Sequence, residues 1–561
     1  MTQKPRPAPV GRFLTTNVGA GDVFTREDLT AEQKLFGGTA AEFMRREVLP
    51  NAGRLYARDW PFTRELLRKA GELDLLRLEI PEAYGGLGLD KASAAYVFEQ
   101  IGINPSFGGS IGAHTGIGTM PLLCFGNAAQ KAKYLSRLAS GELIGAYALT
   151  EPGSGSDALA AKTTAVRDGD HYVLNGRKMW ITNGGFADLF TIFAKVDGSQ
   201  FTGFLVERSM GVVSGPDEHK LGLDGSSTTE LILDDVRVPA DNVLGAVGGG
   251  HKVAFNTLNL GRVKLGPRNL ACAKFALGNA ARYARERKQF GKSIGEFGMI
   301  KHKLAEMSLR IFVGEAMVYR TLGEVDHALS AVDPADAAAV LAAIEPFAVE
   351  CSLNKVASSE ILAYVVDEAL QVYGGNGYSR EFPAERPYRD ARITRIYEGT
   401  NEINRLIIAT RILRAGIPAE IATGGTGDRA VAIAAKRLAV TMLAGAAEAH
   451  GERVAEHQEV LAHIANVIID GYAIESAVAR SEKLADARAG GAALAADMTA
   501  VFTADAADRI VAAAKQVGHA LGDHGAATRE RAAAVAHPGM DTVAARRRIA
   551  EAVLAAGEHP L

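Results

Sequence analysis

The spacing of hydrophobic side chains in the first quarter of the chain predicts helices. Thr30 is followed, over 31–49, by apolar residues at helical spacing, which is typical of a capped amphipathic helix. Similar patterns cover three further stretches, roughly 61–73, 91–103 and 128–139. We therefore predict an N-terminal helical domain over 26–145. Residues 1–25 lack such a pattern, and we expect a tail that lies over the surface or is disordered.

Near residue 145 the pattern changes to short runs rich in β-branched and aromatic residues. Asn175-Gly176, between 172–174 and 178–182, predicts a hairpin, and Asp168-Gly169 predicts another turn. Further β-rich runs lie at 189–196, 201–206 and 230–238. Residues 146–250 are therefore predicted to form a β domain.

From residue 251 the helical period returns in long segments rich in Ala, Leu and Ile. They predict a second helical domain over 251–420, interrupted by glycines at 374–377. A run rich in Gly and Thr at 421–427 predicts a linker to a helical extension, 428–561, whose helices end near residue 535. Within it, 485–500 is mostly Ala and Gly, which favours a mobile loop. The predicted fold class is α+β with several domains.

Composition and charge exclude several classes of function. The 561 residues are 47% hydrophobic and 23% charged, as in ordinary globular proteins, and the net charge of −3 gives no footprint for nucleic acid. Cys124, Cys272 and Cys351 are too far apart in sequence to suggest a metal site or a disulfide framework, so we expect a reducing compartment. No apolar run approaches the ~18 residues of a membrane span, and no signal peptide is evident. We expect a cytoplasmic protein.

Two polar, glycine-rich stretches follow predicted strands. In 149–157, Gly and Ser alternate, which exposes N–H groups and hydroxyls suited to phosphate or to the polar edge of a cofactor. A plain turn explains this stretch equally well. In 180–185, Trp180 precedes Thr182, Asn183 and two glycines. A strand tryptophan is usually part of the core. Here the neighbouring glycines support the alternative, a surface on which a ring stacks, at least equally well.

Three other stretches carry candidate chemistry. The charged run 286–292 is either a solvated face or a place where Arg287 holds pyrophosphate while Phe290 packs on a base. The small residues of 108–114 favour either close helix packing or a cavity. The stretch 392–405 places a carboxylate before a glycine and then a Thr cap at a helix start, which suits either a charged loop ahead of a helix or a backbone that lies against a ligand.

Taken together, these motifs resemble those of the flavin-dependent acyl-CoA dehydrogenases. The matching stretches are Glu151-Pro-Gly-Ser-Gly-Ser-Asp, Trp180-Ile-Thr-Asn-Gly-Gly, Arg287-Lys-Gln-Phe-Gly, Gln371-Val-Tyr-Gly-Gly-Asn-Gly and Tyr397-Glu-Gly-Thr. The resemblance covers roughly 26–413, and the extension after 427 is similar to that of very-long-chain members. It implies an N-terminal helical domain, a central β domain, a C-terminal four-helix domain and an extra C-terminal helical domain.

The resemblance also implies roles for individual residues. It implies that FAD lies between the β domain and the second helical domain, and that Arg287, Phe290, Gln371 and Gly375 bind the FAD of a neighbouring subunit. The other residues expected to contact FAD are Tyr147, Ala148, Leu149, Thr150, Ser156, Trp180, Ile181, Thr182, Thr400 and Glu402. The residues expected to contact acyl-CoA are Ser156, Asn259, Arg262, Tyr397 and Gly399, with Gly109, Gly112 and Ala113 at the far end of the acyl cavity.

The reaction implied is α,β-dehydrogenation of long or very long acyl-CoA to trans-2-enoyl-CoA in fatty acid β-oxidation. Glu398 is the expected base, because the position used by some branched-chain relatives is Gly261, which has no carboxylate. Hydrogen bonds to the thioester carbonyl from the Glu398 backbone N–H and the flavin ribityl chain are expected to stabilise the developing enolate. The flavin accepts the hydride, and an electron-transferring flavoprotein is the expected electron acceptor.

The sequence also bears on assembly and on alternative functions. FAD shared between subunits implies at least a dimer, and a homodimer is favoured because the extension can cover the tetramer surface of shorter relatives. The extension carries 14 Lys and Arg against 17 Asp and Glu, which argues against a nucleic-acid-binding relative. A hypothesis of peripheral membrane contact rests on 485–500. A non-catalytic scaffold on the same fold and an oxidase that uses oxygen directly stay open.

Overall fold

The computed structural model describes residues 10–333, 336–419, 423–537 and 539–561. The chain forms two compact units. Of the described residues, those within 1–29, 269–331 and 342–561 form the first unit, and those within 30–268 and 332–341 form the second.

The second unit begins with seven helices that match the apolar spacing of the sequence. Thr30 caps the first of them by accepting a hydrogen bond from the Gln33 backbone N–H (3.2 Å). They are α1 (Ala31–Phe43), α2 (Ala52–Tyr56), α3 (Trp60–Glu72), α4 (Lys91–Ile101), α5 (Pro105–Ala113), α6 (Met120–Phe125) and α7 (Ala128–Ala139). The four helices predicted from the sequence are therefore confirmed.

An eight-stranded sheet follows in the same unit. The strands are β1 (Gly145–Ala148), β2 (Thr164–Asp168), β3 (His171–Thr182), β4 (Leu189–Val196), β5 (Gln200–Glu207), β6 (Val213–Asp217), β7 (Thr228–Pro239) and β8 (Val243–Leu244). Their order in the sheet is β6-β7-β3-β2-β4-β5-β8, and β1 pairs with β4 in parallel. The turn predicted at Asp168-Gly169 is confirmed, because β2 and β3 pair antiparallel across it.

The hairpin predicted at Asn175-Gly176 is wrong. Strand β3 runs through these residues, and its pairing with β7 shifts register there, as in a β-bulge. A Cβ built on Gly176 would lie 2.9 Å from the Cα of Thr163. The glycine therefore serves close approach of two backbones rather than a turn.

The first unit is helical. Two helices, α8 (Gly250–Glu286) and α10 (Ala337–Ile344), begin in the second unit and end in the first. The other helices of the first unit are α9 (Gly298–Leu329), α11 (Ala348–Tyr373), α12 (Glu385–Ala391), α13 (Asn401–Ala415), α14 (Asp428–His450), α15 (Gln458–Asp486), α16 (Ala492–Ala520), α17 (Ala526–Ala532) and α18 (Thr542–Ala556). A short hairpin, β9 (Lys288–Gln289) and β10 (Lys292–Ser293), follows α8. The α+β fold class predicted from the sequence is confirmed, and α18 extends the helical region beyond residue 535.

The expectation of a surface or disordered tail is wrong for residues 10–25. These residues contain short 3-10 turns, and Phe13 and Leu14 are buried in the core with α15 and its neighbours. The Phe13 ring lies edge-on to Tyr472 at 5.1 Å. The N-terminal residues 1–9 of the predicted tail lie outside the described residues.

The mobile loop predicted at 485–500 is also wrong. Most of the stretch belongs to the end of α15 and the start of α16, and Ala495 and Met498 are fully buried. Small side chains allow close helix packing here. Within the part of the chain that the structure describes, one segment, Asp428–Glu456, is long and apolar enough to cross a membrane. Because 67% of its apolar window is buried, it has the character of a core helix.

Candidate active site

Two stretches predicted to contact a flavin are neighbours in the second unit. The end of β1 carries Tyr147 and Ala148, and Leu149 and Thr150 follow it directly. The Thr150 carbonyl accepts a hydrogen bond from the Met179 N–H (2.9 Å), one residue before Trp180. The structure therefore brings the strand ends at Thr150 and Trp180 together.

Trp180 is not a core tryptophan. It lies where the pairing of β3 with β7 shifts register between Lys178 and Ile181, its φ is 62°, and its side chain is 52% exposed. Ile181 is buried, whereas Thr182 is half-buried. A left-handed backbone is uncommon outside glycine and is found where the surrounding structure enforces it. The sheet thus presents a flat indole face beside a hydroxyl.

A buried ion pair fixes the turn that follows β1. The Lys178 ammonium donates to the Glu151 carboxylate (2.6 Å), and the Thr163 N–H donates to the same oxygen (3.1 Å). Burial acts to raise the pKa of Glu151, but the Lys178 charge and hydrogen bonds from the Lys162 backbone, Lys178 and the Thr163 hydroxyl hold it below its usual value. Ser156 is exposed beyond this turn. The sequence reasoning missed Lys178, because it follows an arginine and resembles an ordinary charged strand residue.

The predicted acyl-CoA residues of the second unit fall into two groups. On α8, the Arg262 guanidinium donates to Asn259 (2.8 Å), and both side chains are buried. On α5, Gly109 and Gly112 are half-buried, whereas Ala113 is buried. Arg268 reaches Gly112 from α8 and donates to the Gly108 carbonyl (2.7 Å). The space beside Gly112 is therefore occupied by a guanidinium.

In the first unit, the stretch around Glu398 is a strained turn that leads into α13. Glu398 and Gly399 have φ of 57° and 81°, and Thr400 caps α13 by accepting from the Ile403 N–H (3.2 Å). The predicted Thr cap is confirmed. Tyr397, Glu398 and Gly399 are all half-buried, and the Oε2 atom of the Glu398 carboxylate is itself shielded from solvent. Hydrogen bonds from the Glu402 backbone and from Thr400 lower the pKa of Glu402.

Two buried side chains that the sequence reasoning missed hold this turn. The Lys355 ammonium donates to the Gly399 carbonyl (2.7 Å), and the Asn404 amide donates to the same carbonyl (2.8 Å). Lys355 lies in the first third of α11 beside polar residues such as Asn354 and Ser359, so the apolar pattern of the sequence gave no signal for it.

The predicted binding residues for the FAD tail also meet in the first unit. Phe290 lies at the tip of the β9–β10 hairpin with φ of 53°, and its ring is 93% exposed. Arg287, Gln371 and Gly375 are exposed. Tyr283 of α8 stacks on Tyr373 with ring centroids 4.1 Å apart, which joins the end of α8 to the glycine segment at 374–377. Exposed aromatic and guanidinium groups on one joined surface suit a dinucleotide tail.

The donor set fits a flavin better than a metal. An indole face and a hydroxyl lie at the strand ends, and a guanidinium and an uncovered phenyl ring lie at the hairpin. Among the described residues, no group of three or more His, Cys, Asp or Glu side chains is arranged to hold a metal ion.

Comparison with known proteins gives one family for matches that lie between residues 30 and 529. The profiles "Acyl-CoA dehydrogenase, N-terminal domain" and "middle domain" match residues 30–142 and 146–236. Two profiles described as "Acyl-CoA dehydrogenase, C-terminal domain" match residues 248–413 and 434–529.

Individual relatives agree with the profiles. The chain is 43% identical over 537 residues to a probable acyl-CoA dehydrogenase of Bacillus subtilis (strain 168), covering 90% of each protein. It is 42% identical over 351 residues to the mitochondrial very long-chain specific acyl-CoA dehydrogenase of Bos taurus, covering 60% of this chain and 51% of that protein. The crystal structure of an acyl-CoA dehydrogenase complexed with FAD from Bacillus anthracis is similar with a TM-score of 0.96 and 40% identity, covering 99% and 100% of the two chains.

Proposed function

The chain belongs to the acyl-CoA dehydrogenase family, and we propose that it dehydrogenates long- and very-long-chain acyl-CoA to trans-2-enoyl-CoA in fatty acid β-oxidation. The enzyme is an FAD-dependent oxidoreductase. The observation that carries the proposed mechanism is the position of Glu398, a half-buried carboxylate on a strained turn directly before α13.

Glu398 is the proposed base. The α-hydrogen of a thioester is weakly acidic, so a carboxylate removes it only where the enolate is stabilised as it forms. A bound acyl chain excludes water from Glu398, which strengthens it as a base. FAD, when bound, accepts the β-hydrogen as a hydride. Gly399 next to the base leaves room for the thioester to approach the backbone.

Residues of both units are proposed to hold FAD. In the second unit, the Trp180 face packs against the ring system, and Thr182 and Thr150 offer polar contacts beside it. In the first unit, Arg287 and Phe290 are proposed to bind the tail of the cofactor held by a second copy of the chain. The exposure of the Trp180 and Phe290 rings supports this assignment, because neither ring is packed in the hydrophobic core.

The preference for long acyl chains is proposed from Gly109, Gly112 and Ala113. The space beside the small side chains is filled at Gly112 by the Arg268 guanidinium, so a long acyl chain is proposed to enter as that guanidinium moves aside. Each buried methylene of an acyl chain contributes about 0.8 kcal/mol to binding. The likeness to the very long-chain specific enzyme of Bos taurus supports this preference. Ser156, Asn259 and Arg262 are the proposed contacts of the thioester and CoA portions.

Assembly, electron acceptor and location are proposed with the same function. We expect a homodimer, an electron-transferring flavoprotein as electron acceptor, and a cytoplasmic location. Peripheral membrane contact is not proposed, because the 485–500 stretch on which that hypothesis rested is packed rather than mobile. A solved structure named for the electron transferring flavoprotein of Acidaminococcus fermentans contains a chain similar to this one at 36% identity and a TM-score of 0.64, which supports the proposed acceptor.

The decisive experiment replaces Glu398 by Gln in the FAD-loaded enzyme. The substitution keeps the shape of the side chain and removes the proton acceptor. Reduction of the flavin by palmitoyl-CoA, followed as bleaching of its absorbance, should fall beyond the ~10²–10⁴-fold typical of general base catalysis alone. FAD content should stay at the wild-type level. Near-normal bleaching would assign the base to another residue, and a wild-type enzyme that no acyl-CoA bleaches would contradict the proposed function.

A further inference from the structure

The backbone around the proposed base is held in a conformation that needs support. Glu398 and Gly399 are consecutive left-handed residues, with φ of 57° and 81°. Glycine adopts such values readily, but a glutamate does so only where neighbouring groups stabilise the conformation. Any loosening of this turn would let Glu398 return to an ordinary conformation and would move its carboxylate.

The carbonyl of Gly399 is bound from two sides. The Lys355 ammonium donates to it at 2.7 Å and the Asn404 amide at 2.8 Å. Asn404 also donates to the Thr400 carbonyl (3.0 Å), and both side chains are fully buried. With these carbonyls held towards the interior, the peptide planes of the turn have one orientation. The direction in which Glu398 leaves the backbone is thereby fixed.

Lys355 is itself held by a hydrogen-bond network. Its ammonium donates to the Asn401 side-chain carbonyl (2.7 Å), and the Asn401 amide donates to Glu360 (3.0 Å). Glu360 is paired with Arg405, whose guanidinium donates to Asn466 of α15 (2.7 Å). The lysine therefore links the turn to α11 and, through side chains, to the C-terminal extension. A long flexible side chain becomes a fixed support only when its end is bonded in this way.

We propose that Lys355 is the positioning residue for the base, acting with Asn404 to fix the Glu398–Gly399 turn. This inference rests on the proposed role of Glu398 as base. Lys355 is not assigned any contact with the substrate. Its effect is to keep the carboxylate in the single orientation from which it reaches the α-hydrogen, and a displacement of about 1 Å in such a geometry is enough to cost roughly 10²-fold in rate.

The test replaces Lys355 by Met, which keeps the length of the side chain and removes its donors. Lys303→Met is the matched control, because Lys303 pairs with Glu368 away from the turn. Both variants are prepared with FAD. For Lys355→Met, flavin bleaching by saturating palmitoyl-CoA should slow by about 10²-fold, with FAD content and substrate affinity close to wild type. The Lys303 control should bleach at the wild-type rate.

A second arm separates positioning from a general structural defect. If Lys355 acts through the base, adding Lys355→Met to Glu398→Gln should slow bleaching no further, because the group that it positions is already lost. An additive loss, or a rate equal to that of the Lys303 control, overturns the inference. Where Lys355→Met does not fold, Asn404→Ala takes its place, since it removes the second donor without disturbing a buried cation.

Failure of this inference is distinct from failure of the proposed function. An inactive Glu398→Gln together with a fully active Lys355→Met rejects only the positioning role. An active Glu398→Gln rejects the base itself, and the positioning role with it.

Discussion

The role of Gly112 is decided by Arg268, and it gives a prediction with a defined magnitude. A Cβ built on Gly112 would lie 2.8 Å from Arg268 Cζ and closer still to Nη1. Gly112→Ala must therefore displace the guanidinium and break its hydrogen bond to the Gly108 carbonyl. A hydrogen bond from a charged group contributes about 1.5–3 kcal/mol, and the gain of about 0.5–1 kcal/mol from placing Ala in a helix offsets part of its loss. We therefore expect Gly112→Ala to lower the free energy of unfolding by about 1–2 kcal/mol.

Gly109 is the matched control on the same helix. A Cβ built there would meet Ser226 Oγ at 3.5 Å, an ordinary contact, so Gly109→Ala should be neutral or should stabilise the helix by about 0.5–1 kcal/mol. In an Arg268→Ala background, Gly112→Ala should lose its penalty. Urea unfolding of the four FAD-loaded variants measures these differences. Equal stability of the two alanine variants, or a penalty that persists without Arg268, would refute the reasoning.

Activity on two chain lengths adds an independent readout. If the acyl chain passes Gly112 as proposed, Arg268→Ala enlarges the space available and should raise activity on palmitoyl-CoA relative to octanoyl-CoA. An unchanged ratio would leave Gly112 with a packing role alone, which was the other interpretation of the small residues in 108–114. The large substitution Gly112→Phe is a poorer probe, because it would displace Arg268 whatever the acyl chain does.

Two further predictions concern buried charges. Burial acts to raise the pKa of Glu79, but Lys264 and Lys91 outweigh it and hold the pKa at about 2. Because this pKa is depressed, ionised Glu79 contributes about 3 kcal/mol to the free energy of unfolding above about pH 4.5, and this contribution is lost as the pH falls towards 2. A stability difference between Glu79→Gln and wild type that stays constant across this pH range would contradict the prediction. Arg480 is buried between the carboxylates of Glu27 (2.6 Å) and Glu315 (2.9 Å). Arg480→Met should therefore lower the free energy of unfolding by about 3–5 kcal/mol and make residues 10–28 accessible to protease. An unchanged digestion pattern would disprove this.

Periodicity determined most of the fold because it is a local property. Helices such as α3 and α7 and strand β4 follow from the spacing of apolar residues, and the Thr30 and Thr400 caps follow from side-chain chemistry one turn away. The family and the identity of Glu398 as candidate base also followed from short motifs, since their residue types are dictated by the ligand rather than by distant contacts.

Contacts between distant parts of the chain were decided only by the tertiary structure. Gly176 is a bulge rather than a turn because Thr163 lies against it, and residues 10–25 are ordered because α14 and α15 offer a surface for Phe13 and Leu14. Alanines at 485–500 are core residues because neighbouring helices approach closely. No local pattern contains this information.

The same limit applies to the site. The sequence marks the residues that face ligands, but Lys355 and Arg268 acquire their roles from partners 44 and 160 positions away in the chain. Their side chains are ordinary helix residues by propensity. An unbonded cation inside a protein is costly, so the Lys355 and Arg268 side chains each donate to a backbone carbonyl that only the folded chain brings within reach. These hydrogen bonds are what make the two residues stabilise the site.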